Sequence, residues 1–129
     1  MEKEKVLFVI PAYNEEKNIE KVLKEIKKDA SFADILVIND SSKDATEEIV
    51  RKNKVKCITG VFNMGYAMAV QTGIKYANLY DYDYVIQFDA DGQHIAKEAL
   101  KLYEAAKEGN YDITIGSRYL KDMGYPAPF

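Results

Sequence analysis

Short apolar runs alternate with amphipathic stretches along this chain, and the alternation predicts its elements. Val6–Ile10 is rich in β-branched residues and predicts a strand ended by Pro11. Ile19, Val22, Leu23 and Ile26 recur at helical spacing with Lys and Glu between them, which predicts a helix capped by Asn14, with Glu15 and Glu16 at its positive end. Ile35–Ile38 is a second strand. Asp44, followed three residues later by Glu47, has the form of a capping box opening a short helix through about Arg51. Val55–Ile58 is a third, weaker strand, and Ala67, Val70, Ile74 and Ala77 mark one face of a helix from about Tyr66 to Asn78. Tyr84–Phe88 is a fourth strand. Ile95, Ala99, Leu102, Tyr103 and Ala106 form a further helical stripe, ended by Gly109, before a fifth strand at Ile113–Ile115.

A strict alternation of strand and helix calls for a mostly parallel sheet with helices on both faces. The strands are apolar runs with little internal alternation, as expected where both faces are covered. Right-handed crossovers narrow the α/β topology to Rossmann-like arrangements, in which ligands bind beyond the carboxyl ends of the strands. The chemistry-bearing residues should therefore sit just after the apolar runs.

Polar clusters do follow four of the five runs: Pro11-Ala12-Tyr13-Asn14-Glu15, Asn39-Asp40-Ser41-Ser42-Lys43-Asp44, Asp89-Ala90-Asp91-Gly92-Gln93-His94 and Gly116-Ser117-Arg118. Asp89 and Asp91, two residues apart at a strand end, can share a hard cation such as Mg²⁺ or Mn²⁺, which also takes diphosphate oxygens. They can equally end a strand and cap the helix that follows. Asp40 stands where a carboxylate accepts a hydrogen bond from a ribose or base, although Asn-Asp-Ser-Ser is also ordinary turn chemistry. Tyr13 offers an aromatic face for stacking. Asn63-Met64-Gly65 suits either a close backbone approach to a ligand or a turn with positive φ. Arg118 has the fork that fits two phosphate oxygens, with a surface ion pair as the alternative. His94 reads as a capping or packing residue.

Composition narrows the choice. At 129 residues the chain is of single-domain size, and 47% hydrophobic with 30% charged residues indicates a globular fold. Eighteen Lys and Arg against 21 Asp and Glu leave a net charge of -3, which argues against nucleic acid as partner. One Cys, Cys57, and one His exclude a disulfide framework and make a zinc cage improbable. No export signal or membrane-spanning run is expected, so the chain reads as cytoplasmic, with peripheral contact at the inner membrane face left open.

The clusters together, with Asn63-x-Gly65 between them, resemble family 2 glycosyltransferases of the GT-A fold in order and spacing from about Val6 to Leu120. Gln93-His94 after the Asp-x-Asp, with Gly116-Ser117-Arg118 downstream, is most similar to the dolichol-phosphate mannose synthase and bacterial polyprenyl-phosphate glycosyltransferase branch, and polysaccharide-assembly enzymes are similar too. The resemblance implies a nucleotide-sugar pocket lined by Pro11, Ala12, Tyr13 and Glu15, with Asp40 reading the base or ribose. It implies that Asp89, Asp91 and Gln93 hold Mg²⁺ or Mn²⁺ with the diphosphate, and that Asp91 and Arg118 act on the transfer itself. Two departures stand out. The family usually has two acidic residues where this chain has Asn39-Asp40, with Gly at Ser41. It often has Lys or Gly where Tyr66-Ala67 follow Asn63-x-Gly65, so a basic phosphate contact is missing there.

The implied reaction is inverting transfer of a sugar from a nucleotide-sugar donor to a polyprenyl-phosphate or saccharide acceptor. Members of the family are generally longer. The expected organisation is thus a GT-A nucleotide-sugar-binding domain over residues 1–120 and a tail over 121–129, with the acceptor half absent and a second copy of the chain as a candidate cover for the exposed edge. Two alternatives compete. Asp89-x-Asp91-Gly92 after an apolar run also resembles the nucleophile motif of haloacid dehalogenase-type phosphatases, and a non-catalytic nucleotide-binding module would keep the same pocket.

Overall fold

The computed structural model describes residues 4–109. The expected fifth strand, the Gly116-Ser117-Arg118 cluster and the 121–129 tail lie outside the described residues. Four strands and four helices alternate: β1 (Val6–Ala12), α1 (Ile19–Asp29), β2 (Asp34–Asn39), α2 (Thr46–Lys52), β3 (Lys56–Thr59), α3 (Tyr66–Leu79), β4 (Tyr84–Gln87) and α4 (Ala96–Gly109). All strand pairs are parallel, and the sheet order is β3-β2-β1-β4. This is the expected α/β, Rossmann-like architecture. The order reverses between β1 and β4, the switch point where such sheets open a crevice.

The two faces of β1 are covered differently. Phe8, Ile10 and Ala12 join Ile19, Leu23 and Ile26 of α1, Val50 of α2 and Ala96 and Ala99 of α4 in the larger core. Leu7 and Val9 face the opposite way, with Ala69 and Ala77 of α3. Seven consecutive buried residues in β1 follow from this two-sided cover.

Several expectations require correction. Pro11 does not end the first strand; it pairs with Ile38 of β2. Backbone groups of a strand alternate between its two neighbours: the Val9 carbonyl accepts from Phe88 toward β4, and the Ala12 carbonyl accepts from Asp40 toward β2. Pro11 is in phase with Val9, so its missing N–H faces the β4 side, where pairing has just stopped at Val9–Gln87. The proline is accommodated because β4 departs there, and that departure begins the crevice.

Of the stripe expected in α3 only Ala77 is fully buried. Ala69, Gly73 and Ala77 are inward, whereas Ile74 is half exposed and Ala67 is exposed. The helix lies so close to the sheet that only small side chains fit between them. In α4 the buried positions are Ala96, Ala99 and Tyr103, and Ile95 precedes the helix, exposed. Ala96 is drawn in because its N–H donates to Glu25 Oε2 of α1 at 2.6 Å.

Neither expected cap forms. α1 starts at Ile19, reached through a turn in which the Glu15 carbonyl accepts from both Asn18 and Ile19. Asp44 does accept the Thr46 N–H at the head of α2, at 3.0 Å. Glu47 turns away from it, taking Thr59 Oγ1 at 2.8 Å and Arg51 Nε at 2.9 Å.

Candidate functional site

Three adjacent parallel strands end side by side, and each end is shaped by local hydrogen bonds. After β1, Asn14 takes positive φ (53°), its N–H donates to Ser42 Oγ, and its Oδ1 accepts the Lys43 N–H at 2.8 Å. The Glu15 N–H donates to Thr46 Oγ1 at 2.9 Å. The loops after β1 and β2 are thereby laced together, which is what Asn14 does in place of capping α1.

After β2, Asn39 is buried and works inward, accepting the Ser42 N–H on Oδ1 and donating to Thr59 Oγ1. Asp40 is also buried, and it reaches across to the loop before α3. Its Oδ1 accepts the Met64 N–H at 2.8 Å and its Oδ2 accepts the Gly65 N–H at 2.9 Å. Gly65 stands at φ 94° with nothing within 4 Å of where a β-carbon would lie, so conformation rather than space calls for glycine. Of the two readings of Asn63-Met64-Gly65, the positive-φ turn is present, and Asn63 and Gly65 also face the cleft.

After β4, Asp89 is held from three directions. Its N–H donates to His94 Nδ1 at 3.1 Å, and its Oδ2 faces His94 Nε2 at 3.4 Å. With Nδ1 turned to the backbone N–H, Nε2 is the ring nitrogen that faces the carboxylate. His94 also packs edge-on against Phe88, in the packing role expected of it. The third contact comes from α3: Tyr66 donates its hydroxyl proton to Asp89 Oδ1 at 2.7 Å. Burial, and then this acceptor carboxylate, push the Tyr66 phenol up to about 12. Asp91 Oδ1 accepts the Gln93 N–H at 2.9 Å across a turn in which Gly92 has φ 83°.

The three ends enclose a cleft of about 420 Å³, within the range of small-molecule sites. Pro11, Ala12, Tyr13, Glu15, Asp40, Asp89 and Asp91 all line it, so seven expected site residues are gathered in one hollow. Gln93 is not among the lining residues; it is exposed and touches the site through its backbone. Arg118 lies outside the described residues. Asn63, Gly65, Tyr66, Ala69 and Ala90 complete the walls. Tyr66 and Ala69 are the residues sequence reasoning missed; the only signal was the glycine turn, which aims the first turn of α3 at the ends of β1 and β4.

Four of the lining residues are carboxylates, and none of those described is Lys or Arg. Among the described residues no three His, Cys, Asp or Glu side chains gather as a metal-holding group. Asp89 and Asp91, both on the cleft wall, are hard oxygen donors of the kind that suits Mg²⁺ or Mn²⁺, since such ions are commonly held by one or two carboxylates together with substrate phosphates. Among the described residues no helix is long and apolar enough to cross a membrane.

Comparison with known proteins agrees with this geometry. The family described as glycosyl transferase family 2 matches residues 7–127. Dolichol-phosphate mannosyltransferase of Pyrococcus furiosus is 38% identical over 91% of this chain and 34% of its own length. UDP-N-acetylglucosamine–dolichyl-phosphate N-acetylglucosaminyltransferase of Methanococcus voltae is 30% identical over 88% of this chain and 51% of its own. This chain spans about half or less of the length of such relatives. Among solved structures, S. aureus TarS superposes with a TM-score of 0.71 at 20% identity, over 92% of this chain and 40% of that one. The mannosyltransferase PcManGT of Pyrobaculum calidifontis, in complex with GDP-Man and Mn²⁺, superposes with a TM-score of 0.59 at 23% identity, over 70% of this chain and 28% of that one. These likenesses identify the fold as GT-A.

Proposed function

Because the chain belongs to glycosyl transferase family 2, we propose that the cleft at the switch point binds a nucleotide-sugar donor for inverting transfer. The observation that carries this reading is the convergence of Glu15, Asp40, Asp89 and Asp91, from the ends of β1, β2 and β4, on one cleft without a basic lining residue among those described. Tyr13, about half exposed on the β1 side, offers its ring to the base. Asp40 has one lone pair on each oxygen beyond those engaged by Met64 and Gly65, and these suit a ribose or base donor. Asp89 and Asp91, with Gln93 beside them, would hold Mg²⁺ or Mn²⁺ together with the donor diphosphate. Such an ion, when bound, neutralises charge on the departing nucleoside diphosphate. Arg118 would meet the same phosphate charge.

In the transfer, an acceptor oxygen forms its bond to the anomeric carbon from the face opposite the diphosphate. The bond to the diphosphate breaks, and its electron pair leaves with the nucleotide. The names of the relatives favour a polyprenyl phosphate as acceptor, whose oxygen is already anionic and requires no strong base. A saccharide hydroxyl would need one. Residues 1–120 would supply the donor-binding domain of the enzyme. The phosphatase alternative has no support, because the family match covers nearly the whole chain and belongs to a different class.

Calorimetric titration of UDP and GDP in Mn²⁺ or in EDTA tests the reading. One of them should bind in a Mn²⁺-dependent manner, with binding lost in Asp91→Ala. Binding unaffected by both Asp89→Ala and Asp91→Ala would remove the metal–diphosphate assignment.

A further inference from the structure

We propose that Tyr66 is a positioning residue for Asp89, fixing the orientation in which that carboxylate meets the metal–diphosphate. The inference rests on the donor-site reading above and deepens it. Tyr66 is the first residue of α3, and its place is set by the loop before it, whose Met64 and Gly65 amides are both held on the Asp40 carboxylate. From there its hydroxyl reaches the end of β4 and donates to Asp89 Oδ1.

The direction of that bond follows from the carboxylate, which only accepts, so the phenol proton points to Asp89. The Gln87 side-chain amide lies against the same phenol oxygen. The relay Gln87–Tyr66–Asp89 polarises along its length, and a carboxylate held in this way is confined in orientation. The relay also joins the two halves of the cleft. Asp40, on the side assigned to the nucleoside, fixes the loop that sets Tyr66, and Tyr66 sets Asp89 on the diphosphate side.

The contact is not a by-product of core packing. Tyr66 is 52% exposed and the Asp89 side chain 31%. Without the phenol, this 31% exposed carboxylate would keep only the 3.4 Å contact of its Oδ2 with His94 Nε2, and Oδ1 would lose its fixed direction. Losing the hydroxyl should therefore leave the fold intact and disturb the site.

The test compares the wild-type chain with Tyr66→Phe, Tyr66→Ala, Gln87→Ala and Asp89→Ala. UDP and GDP are titrated into each, in Mn²⁺ and in EDTA, and thermal melts monitor the fold. Tyr66→Phe, which keeps the ring wall, should weaken the Mn²⁺-dependent affinity by about tenfold, as loss of an outer-shell partner does. Its affinity in EDTA and its melting temperature should match wild type. Gln87→Ala should act in the same direction and less strongly, and Tyr66→Ala should lose affinity in both buffers because the wall goes too. Unchanged or tighter Mn²⁺-dependent binding by Tyr66→Phe, with Asp89→Ala impaired, would overturn the positioning role and leave the donor site standing. An equal loss in Mn²⁺ and in EDTA would reduce Tyr66 to a wall residue and overturn it as well. Mn²⁺-dependent binding absent from wild type, or unimpaired in Asp89→Ala, would sink the donor-site reading and this inference together.

Discussion

Gly73 of α3 lies against Val9 of β1 so closely that a β-carbon at position 73 would come within 2.2 Å of Val9 Cγ1 and 2.9 Å of Cγ2. Alanine normally stabilises a helix interior relative to glycine by about 1 kcal/mol. Here the overlap opposes that gain, and overpacking of this kind costs about 1–3 kcal/mol. Gly73→Ala should destabilise the chain in urea unfolding despite its better helix propensity. In the double variant with Val9→Ala both clashing methyls are gone and only the Cβ at 3.1 Å remains, so the two effects should sum to less than their separate costs. Strict additivity would show that α3 shifts freely and that the close approach has no role.

The same contact explains what the sequence conveyed and what it did not. Strand and helix order was legible because Val6–Ile10, Ile35–Ile38 and the spacing of Ile19, Val22, Leu23 and Ile26 are strong local signals. The cluster of Tyr13, Asp40, Asp89 and Asp91 was legible because a parallel sheet sends every strand end to one side. The buried face of α3 was not. Periodicity rewards large apolar residues such as Ile74, whereas the helix packs through Ala69, Gly73 and Ala77, a choice made by distance to the sheet. The positive φ of Gly65 was legible in Asn63-Met64-Gly65, but the Tyr66–Asp89 bond that it permits spans 23 residues, a separation no local pattern encodes.

The Asp40 carboxylate and the loop before α3 should be separable by isotope exchange. Asp40→Asn keeps one oxygen acceptor and turns an NH2 group toward the other backbone N–H. One charge-assisted hydrogen bond is lost, a change of about 1.5–3 kcal/mol, and a part-buried N–H is left facing another donor. The Met64 and Gly65 amides should exchange faster in this variant, while amides in the middle of β1 keep their protection. Unaltered exchange at both loop amides would mean that Asp40 does not hold the loop.

Glu47 ties α2 to β3 and should leave a mark in acid. The Arg51 guanidinium beside it, followed by the Thr59 hydroxyl, holds its carboxyl below the usual value of 4.5. A folded-state pKa below the unfolded one gives stability that is complete above the unfolded value and is lost as pH falls through the folded value. Glu47→Gln should therefore be less stable than wild type at neutral pH, by no more than about 1 kcal/mol for so exposed a pair. The difference should close as the pH falls below 4.5. A difference that persists unchanged in acid would place its origin in packing rather than charge.

The sign of the charge lining the cleft makes a last prediction about ligands. Glu15, Asp40, Asp89 and Asp91 present up to four negative charges to the same space, and no described lining residue is basic. A diphosphate entering without a cation meets repulsion that a nucleoside escapes, and in a partly desolvated cleft that repulsion is screened far less than in bulk water. In EDTA, the nucleoside should bind at least as tightly as its diphosphate. In Mn²⁺ the order should invert, because two carboxylates that repel phosphate oxygens share a dication with them. Asp91→Asn removes one negative charge and one strong ligand together, so it should improve diphosphate binding slightly in EDTA and impair it in Mn²⁺. This crossing of effects cannot arise from a general loss of structure, which would weaken both. Diphosphate binding that exceeds nucleoside binding equally with and without the cation would assign the phosphate contact to basic groups such as Arg118 and take it away from the strand-end carboxylates.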